Sequence, residues 1–115
     1  MNYRIIKRNL VSHIEAFASS DLVCEKVVDR LQLVANKARF RILCLLRHDW
    51  FSVNEIVEVI QAGRLSNISQ QLKMLTLAGL IEKRKEGRSV YYTLKDPEIR
   101  LIIDFLERHY LEADK

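Results

Sequence analysis

Residues 64–95 read RLSNISQQLKMLTLAGLIEKRKEGRSVYYTLK, and the order of segments within this stretch decides the fold. The stretch contains seven Lys or Arg residues and two Glu residues, which give it a local charge of +5. The whole chain of 115 residues carries a formal net charge of +4, so the rest of the sequence is slightly acidic. Positive charge concentrated beside a short helix and a hairpin is typical of a nucleic-acid-binding surface.

The first half of this stretch predicts a helix over residues 65–78 that has one apolar and one polar face. Gly79 follows directly, at the position where a glycine commonly ends a helix. The residues expected to face the core are Leu65, Ile68, Leu72, Met74 and Leu75. The residues expected on the opposite face are Ser66, Asn67, Gln70, Gln71 and Lys73.

The second half predicts a β-hairpin. Residues 80–85 and 89–94 are strand-like, and Glu86-Gly87-Arg88 between them has the composition of a tight turn.

Two helices are predicted at the start of the chain. Apolar positions over residues 14–34 recur near a helical spacing, and residues 19–21 (Ser-Ser-Asp) interrupt or cap this helix. Residues 1–17 are expected to form either an N-terminal arm or an extension of the helix. Asn36 is expected to cap a second helix with the sequence ARFRILCLLRH.

The ends of two further helices are also marked in the sequence. Ser52 and Glu55 form a capping box, which predicts a third helix that ends near Gln61, with Gly63 in the following turn. Residues 96–98 (Asp-Pro-Glu) combine a cap, a proline and an acidic first turn, and predict a last helix to about Leu111.

The predicted order of elements is α-α-α-α-β-β-α, a mostly α-helical fold with a small β-hairpin wing. Three glycines and one proline leave no linker, so residues 1–115 are interpreted as a single winged helix-turn-helix domain. The first and last helices have more apolar residues than a small monomer usually exposes. These residues are Leu22, Val23, Val27 and Val28 on the first helix, and Ile99, Ile102, Ile103 and Leu106 on the last. We therefore expect a homodimer that pairs through these two helices.

Composition excludes several classes of protein. No apolar run approaches the roughly 20 residues that a membrane span needs, and the first residues do not have the pattern of a signal peptide. Two cysteines, Cys24 and Cys44, are too few for a disulfide framework and fit a cytoplasmic protein. No acid–base pair, activated nucleophile or phosphate loop is apparent, so neither an enzyme nor a cofactor is expected.

The helix-turn-helix predicts a set of DNA contacts. Its second helix would lie in the major groove, where amide side chains can contact adenine and lysines contact phosphate. The predicted DNA-binding residues are Ser66, Asn67, Ser69, Gln70, Gln71 and Lys73 on the helix, and Lys83, Lys85 and Arg88 on the hairpin. The expected partner is double-stranded operator DNA.

Two other interpretations remain open for the same residues. In the first interpretation, the polar helix face and the basic hairpin are only solvent-exposed surface that keeps the protein soluble. A winged helix can also bind an acidic protein partner and no DNA.

Three segments together resemble the ArsR/SmtB-type winged-helix repressors: ANKARFRILCLL, FSVNEIVEVI and ISQQLKMLTLAGLIEKRKEGRSVYYTL. The resemblance covers roughly residues 30–110, and the pattern LxxLxxAGLIxxRxEGRxVYYxL within it is quite specific. It implies a homodimeric bacterial repressor that occupies an operator overlapping a promoter and leaves when an inducer binds.

The resemblance also raises the question of whether this chain is one of the metal sensors of that family. The arsenic and lead/cadmium sensors have Cys-Val-Cys where this chain has Ser-Val-Asn at residues 52–54, so the soft thiolate ligands are missing. The zinc and nickel sensors have a ligand pattern on the last helix that falls on Asp96, Glu98, His109 and Glu112, with Glu98 in place of a histidine. One nitrogen and three carboxylates make a weak zinc site, and no metal is expected.

FSVNE and SQQL are similar to the persulfide- and redox-responsive branch, which includes the biofilm-growth and haemolysin regulators. Cys44 of this chain matches the cysteine that the branch has on its second helix. This chain has Leu111 where the branch has the partner cysteine. Cys24 is the predicted substitute partner, which makes Cys24 and Cys44 a candidate thiol sensor. The alternatives are that Cys44 is only a small buried apolar residue, or that the effector is a metal or absent.

Overall fold

The computed structural model describes residues 3–60 and 65–112. The chain divides into two compact units, Met1–Leu33 and Val34–Lys115, and each is described by itself. Whether the two units form one folding domain is not decided by this division, so the single domain stays a prediction.

The first unit contains helix α1 (Tyr3–Ala18) and most of helix α2 (Asp21–Val34). The interruption predicted at residues 19–21 is confirmed: one helix ends at Ala18 and the next begins at Asp21, so residues 14–34 do not form a single helix. Ser20 explains the break: its Oγ accepts a hydrogen bond from Val23 N at 3.4 Å, as an N-cap side chain does. Residues 3–18 form a separate helix rather than an extension of α2.

The described residues of the second unit form four helices: α3 (Lys37–Leu46), α4 (Val53–Ile60), α5 (Leu65–Leu77) and α6 (Pro97–Glu112). The starts of α3, α4 and α6 follow the predicted capping signals. Asn36 Oδ1 accepts from Arg39 N at 3.0 Å and caps α3. At α4, Glu55 N donates to Ser52 Oγ at 3.2 Å and Ser52 N donates to Glu55 Oε1 at 2.9 Å, which confirms the capping box. The predicted turn at Gly63 lies outside the described residues.

A three-stranded antiparallel sheet completes the second unit, with β1 (Phe51–Ser52), β2 (Ile81–Glu86) and β3 (Ser89–Leu94) in the order β1-β3-β2. The β2–β3 hairpin, called the wing from here on, has Gly87 in its turn at a φ of +65°. Strand β1 was not predicted. Two residues are too short for an alternating pattern, and β1 exists because Phe51 pairs with Tyr92 of β3.

Leucine and isoleucine side chains from α3, α4, α5, the sheet and α6 form the core of this unit. On α5, Ile68, Leu72 and Leu75 are fully buried, as their i, i+4, i+7 spacing predicts. Leu65 and Met74 were expected in the core as well, but they are 51% and 44% exposed. Leu65 begins the helix, and Met74 lies two residues from Leu72, on the far side of the helix.

Helix α6 contributes Ile99 and Ile103 to this core. Both had been expected at an intermolecular interface, and that expectation is wrong because their side chains are already covered within the chain. The apolar residues of α6 that remain exposed are Leu101, Ile102, Phe105, Tyr110 and Leu111. Among the described helices, none is long and apolar enough to cross a membrane.

Candidate nucleic-acid interface

Helix α5 presents its polar face on the surface of the second unit. Asn67, Ser69, Gln70 and Lys73 are exposed, and Gln71 is half-buried. Ser66 belongs to α5, but its side chain lies outside the described part of the molecule. The buried residues Ile68, Leu72 and Leu75 hold α5 on the core, so its polar face has a fixed orientation.

Both the oxygen and the nitrogen of the Gln71 side-chain amide form hydrogen bonds within the protein. Its Oε1 accepts a hydrogen bond from Arg39 Nη1 of helix α3 at 2.9 Å. Its Nε2 donates to Asn67 Oδ1, one helical turn earlier, at 3.3 Å. The three side chains therefore form a connected series, which we call the relay, from α3 to the exposed face of α5.

Arg39 was not among the residues predicted to contribute to this surface. Its spacing within ARFRILCLLRH shows only that it lies on a helix, and its partner Gln71 is 32 residues away along the chain. Only the packing of α3 against α5 brings the two together.

The wing carries its positive charges on two different faces. Cross-strand partners in an antiparallel pair share a face, so Lys83, paired with Tyr92, and Lys85, paired with Val90, lie on one face. Arg84 lies on the other face, where its guanidinium carbon stands 4.5 Å from the centre of the Trp50 ring. Arg88 is exposed in the turn of the hairpin.

The structure brings lysines of the helix and of the wing together. Lys73 and Thr76 of α5 line a surface pocket of about 310 Å³ together with Lys83 and Tyr92 of the wing. Two ammonium groups that share one depression create a positive potential there. Lys85 and Arg88 extend this charge along the wing toward its turn.

A second surface feature surrounds Cys44 of α3. This cysteine lines a mostly apolar pocket of about 360 Å³ between α3 and α6, together with Phe40, Ile103, Leu106, Glu107 and Tyr110. Burial raises the pKa of the Cys44 thiol; the nearby Arg47 guanidinium lowers it, and Glu107 adds to the increase. The thiol is therefore poorly ionised near neutral pH, and the thiolate is the reactive form.

Arg47 directly follows α3 and joins it to α6. Its guanidinium donates to Asp104 Oδ1 at 2.8 Å and to Glu107 Oε2. Arg100 Nη1 of α6 donates to the Arg47 carbonyl at 2.8 Å. The hydrogen bond to Glu107 is the main reason that the pKa of Arg47 is raised, so Arg47 stays charged.

Cys24 belongs to the first unit, on helix α2. Its Sγ donates to Ala18 O at 2.7 Å, across the break between α1 and α2. The candidate thiol sensor thus consists of one cysteine in each unit.

Comparisons with known proteins place this geometry in a family. Over 90 residues the chain is 37% identical to the transcriptional activator HlyU of Vibrio cholerae, and the match covers 78% of this chain and 82% of that protein. Over 76 residues it is 32% identical to the biofilm growth-associated repressor of Agrobacterium fabrum, covering 66% of this chain and 64% of the relative. The chain belongs to the ArsR/SmtB family of winged-helix transcriptional regulators.

The solved structures agree with this assignment. Reduced HlyU from Vibrio cholerae superposes with a TM-score of 0.70 at 37% identity and covers 76% of this chain and 90% of that chain. HlyU from Vibrio vulnificus superposes with a TM-score of 0.72 at 35% identity, covering 87% and 97%. No protein-family model matches the chain. The resemblance predicted from the sequence is confirmed, and the relatives are regulators rather than enzymes, as expected.

Within this ArsR/SmtB-family chain, the residues at the zinc and nickel sensor positions are distributed along α6. Asp96 caps the helix, since its Oδ1 accepts from Glu98 N at 2.8 Å and from Ile99 N at 3.1 Å. Glu98 and His109 are 11 residues apart, about 16 Å along a helix, so they cannot bind one ion within a single chain. Among the described residues, no three His, Cys, Asp or Glu side chains group as metal ligands.

Proposed function

We propose that this regulator is a homodimeric repressor that binds an operator in double-stranded DNA through α5 and the wing. The observation that carries the proposal is that the polar face of α5 and the lysine face of the wing meet at the pocket shared by Lys73 and Lys83. The helix would supply contacts to base edges in the major groove. The wing would supply phosphate contacts, which add affinity without reading sequence.

The predicted residues divide by role under this proposal. Asn67, Ser69 and Gln70 are exposed on α5 and would reach base edges or nearby phosphates. Phosphate contacts would come from the cationic set Lys73, Lys83, Lys85 and Arg88. Ser66 keeps its predicted role, whereas the Gln71 amide is bonded to Arg39 and Asn67 within the protein.

Exposed apolar surface supports the homodimer. Leu101 and Phe105 of α6 are 69% and 66% exposed and lie one helical turn apart. On α1 and α2, the exposed apolar residues include Leu10, Phe17, Leu22 and Leu31. Apolar patches on several helices favour burial against a second copy. Two α5 helices related by a twofold axis would read an inverted repeat.

For the inducing signal we retain a thiol-modifying agent that links Cys24 and Cys44. With hydrogen peroxide as the oxidant, both thiols would lose a proton and an electron to form the Sγ–Sγ bond, and the peroxide would be reduced to two molecules of water. The position of Cys44 in the pocket between α3 and α6 supports an effect on the fold. The raised pKa of Cys44 predicts a slow reaction. Release by a metal, or no direct effector, is the alternative.

A gel-shift experiment with genomic DNA fragments at moderate salt tests the repressor proposal. We expect saturable binding to a few fragments that contain an inverted repeat and weak binding to the others. The affinity should fall steeply as the salt concentration rises, because phosphate contacts release counterions. If no fragment binds saturably while the chain captures an acidic protein, the protein-interaction module would be the better interpretation.

A further inference from the structure

The relay of Arg39, Gln71 and Asn67 has only one possible arrangement of its amide groups. A guanidinium group donates hydrogen bonds and cannot accept them. The atom of Gln71 that faces Arg39 Nη1 at 2.9 Å must therefore be the acceptor Oε1. This removes the usual ambiguity between the oxygen and the nitrogen of an amide side chain.

The orientation of Gln71 in turn determines that of Asn67. With its oxygen toward Arg39, Gln71 presents Nε2 to Asn67 and needs an acceptor there. The acceptor is Asn67 Oδ1 at 3.3 Å. The opposite end of the Asn67 amide, Nδ2, is thereby directed away from Gln71, on a side chain that is exposed on α5.

We propose that Arg39 and Gln71 are positioning residues that make Asn67 read a base with its amide nitrogen as a donor. This inference rests on the proposed DNA-binding function and gives it a specificity. In the major groove, guanine offers the acceptors O6 and N7, whereas cytosine offers only a donor, its N4 amino group. Asn67 therefore favours guanine and disfavours cytosine at the base that it contacts.

The burial of the three side chains supports this division of roles. Arg39 and Gln71 are half-buried, and the hydrogen bond between them lies at the contact of α3 with α5. Gln71 uses both ends of its amide within the protein, so it is less suited to contact adenine bidentately than the sequence suggested. Asn67 is the exposed member of the relay and the one that can reach DNA.

The decisive variant is Gln71→Glu, which leaves Asn67 itself unchanged. A carboxylate still accepts from Arg39, and its second oxygen presents an acceptor to Asn67 where Gln71 had presented a donor. Asn67 then turns its Nδ2 inward and its Oδ1 outward. The base preference should change from guanine to a base with an exposed amino group, cytosine or adenine.

The experiment selects duplexes from a library with a randomised centre, using the full chain and sequencing the bound fraction. We expect one column of the selected motif to change its preference by about fivefold to tenfold in Gln71→Glu, in the direction just given. Asn67→Asp should change the same column in the same direction. Asn54→Asp brings the same change of charge to an exposed residue of α4 that has no proposed DNA contact, and should leave this column unchanged.

The outcomes separate the inference from the function on which it rests. If the unaltered chain enriches no sequence, the proposed operator recognition fails. If it enriches a motif, but Gln71→Glu and Asn67→Asp leave every column as it was, the positioning role fails and operator recognition stands. A change of the same column by Asn54→Asp also overturns the role given to Asn67.

A second measurement tests the relay without DNA. In the free protein, hydrogen exchange of the Gln71 Nε2 protons, followed by NMR, should be slowed by the bond to Asn67. Arg39→Met should accelerate this exchange, because Gln71 loses the partner that fixes its orientation. Arg41→Met removes the same charge from an exposed position on α3 and should leave the exchange unchanged. Equal exchange in all three chains would show that no relay exists.

Discussion

Arg47 Nη1, at the C-terminal end of α3, lies 2.8 Å from Asp104 Oδ1 on α6, and the two residues are buried to very different degrees. The Arg47 side chain is 6% exposed, whereas the side chains of Asp104 and Glu107 are 44% and 49% exposed. The pairing is therefore asymmetric. The carboxylates are already partly in water, whereas the Arg47 side chain is largely covered by the protein.

This asymmetry predicts which of two sets of substitutions lowers the free energy of unfolding more. Arg47→Met should lower the free energy of unfolding by about 1–3 kcal/mol, the range for hydrogen bonds to charged groups. The pair Asp104→Ala and Glu107→Ala should lower it further, by about 3–5 kcal/mol, because an unpaired buried charge remains. Urea unfolding at one fixed protein concentration measures both. Arg108→Met, an exposed neighbour, is the control and should have little effect.

Because Lys83 and Arg84 lie on opposite faces of the wing, substitutions at these neighbouring residues should change the salt dependence of DNA affinity differently. Lys83→Met should reduce the slope of log affinity against log salt by about 0.9 per protomer, because it removes one phosphate contact. Arg84→Met removes the same charge from the face that holds Trp50, and its slope should match that of the unaltered chain. Fluorescence anisotropy with an operator duplex at several salt concentrations measures the slope. Equal loss of slope in both variants would contradict the assignment of Lys83.

The raised pKa of Cys44 predicts that its thiol reacts more slowly in the folded chain than in the unfolded chain. In the variant Cys24→Ser, Cys44 is the remaining thiol, and its alkylation by iodoacetamide can be followed by mass. At neutral pH the folded chain should react more slowly than the chain in urea, since burial lowers the thiolate fraction. The midpoint of the rate against pH should lie higher in the folded chain. A midpoint at or below the value in urea would indicate an activated thiol.

The exposed face of α6 predicts which substitutions would disrupt the proposed homodimer. The double change Leu101→Glu and Phe105→Glu places two charges where apolar surface would be buried, so we expect a monomer by light scattering after gel filtration. Operator affinity should then decrease, because each protomer would bind only its own half-site. Val59→Glu alters an exposed apolar residue of α4 and should remain dimeric. A dimer that persists in the double variant would exclude this face of α6.

Features that depend on neighbours a few residues apart could be predicted from the sequence. The Asn36 cap, the Ser52–Glu55 capping box and the Asp96 cap are all hydrogen bonds across two or three residues. Gly79 ends α5 with a φ of +79°, which favours glycine over other residues. Local signals of this kind predicted the helices and the hairpin of the second unit, but not strand β1. The family was indicated by the resemblance of three sequence segments.

The tertiary structure alone decided what connects distant parts of the chain. Strand β1 forms because Phe51 pairs with Tyr92 of β3. Arg39 of α3 donates a hydrogen bond to Gln71 of α5, which is distant in the sequence. It also decided that Ile99 and Ile103 lie in the core while Leu65 and Met74 do not, although all four are apolar residues in helices. A helical spacing shows which residues share a face, but only packing shows what that face contacts. For this regulator, that difference changes Gln71 from an expected reader of bases into the residue proposed to orient Asn67.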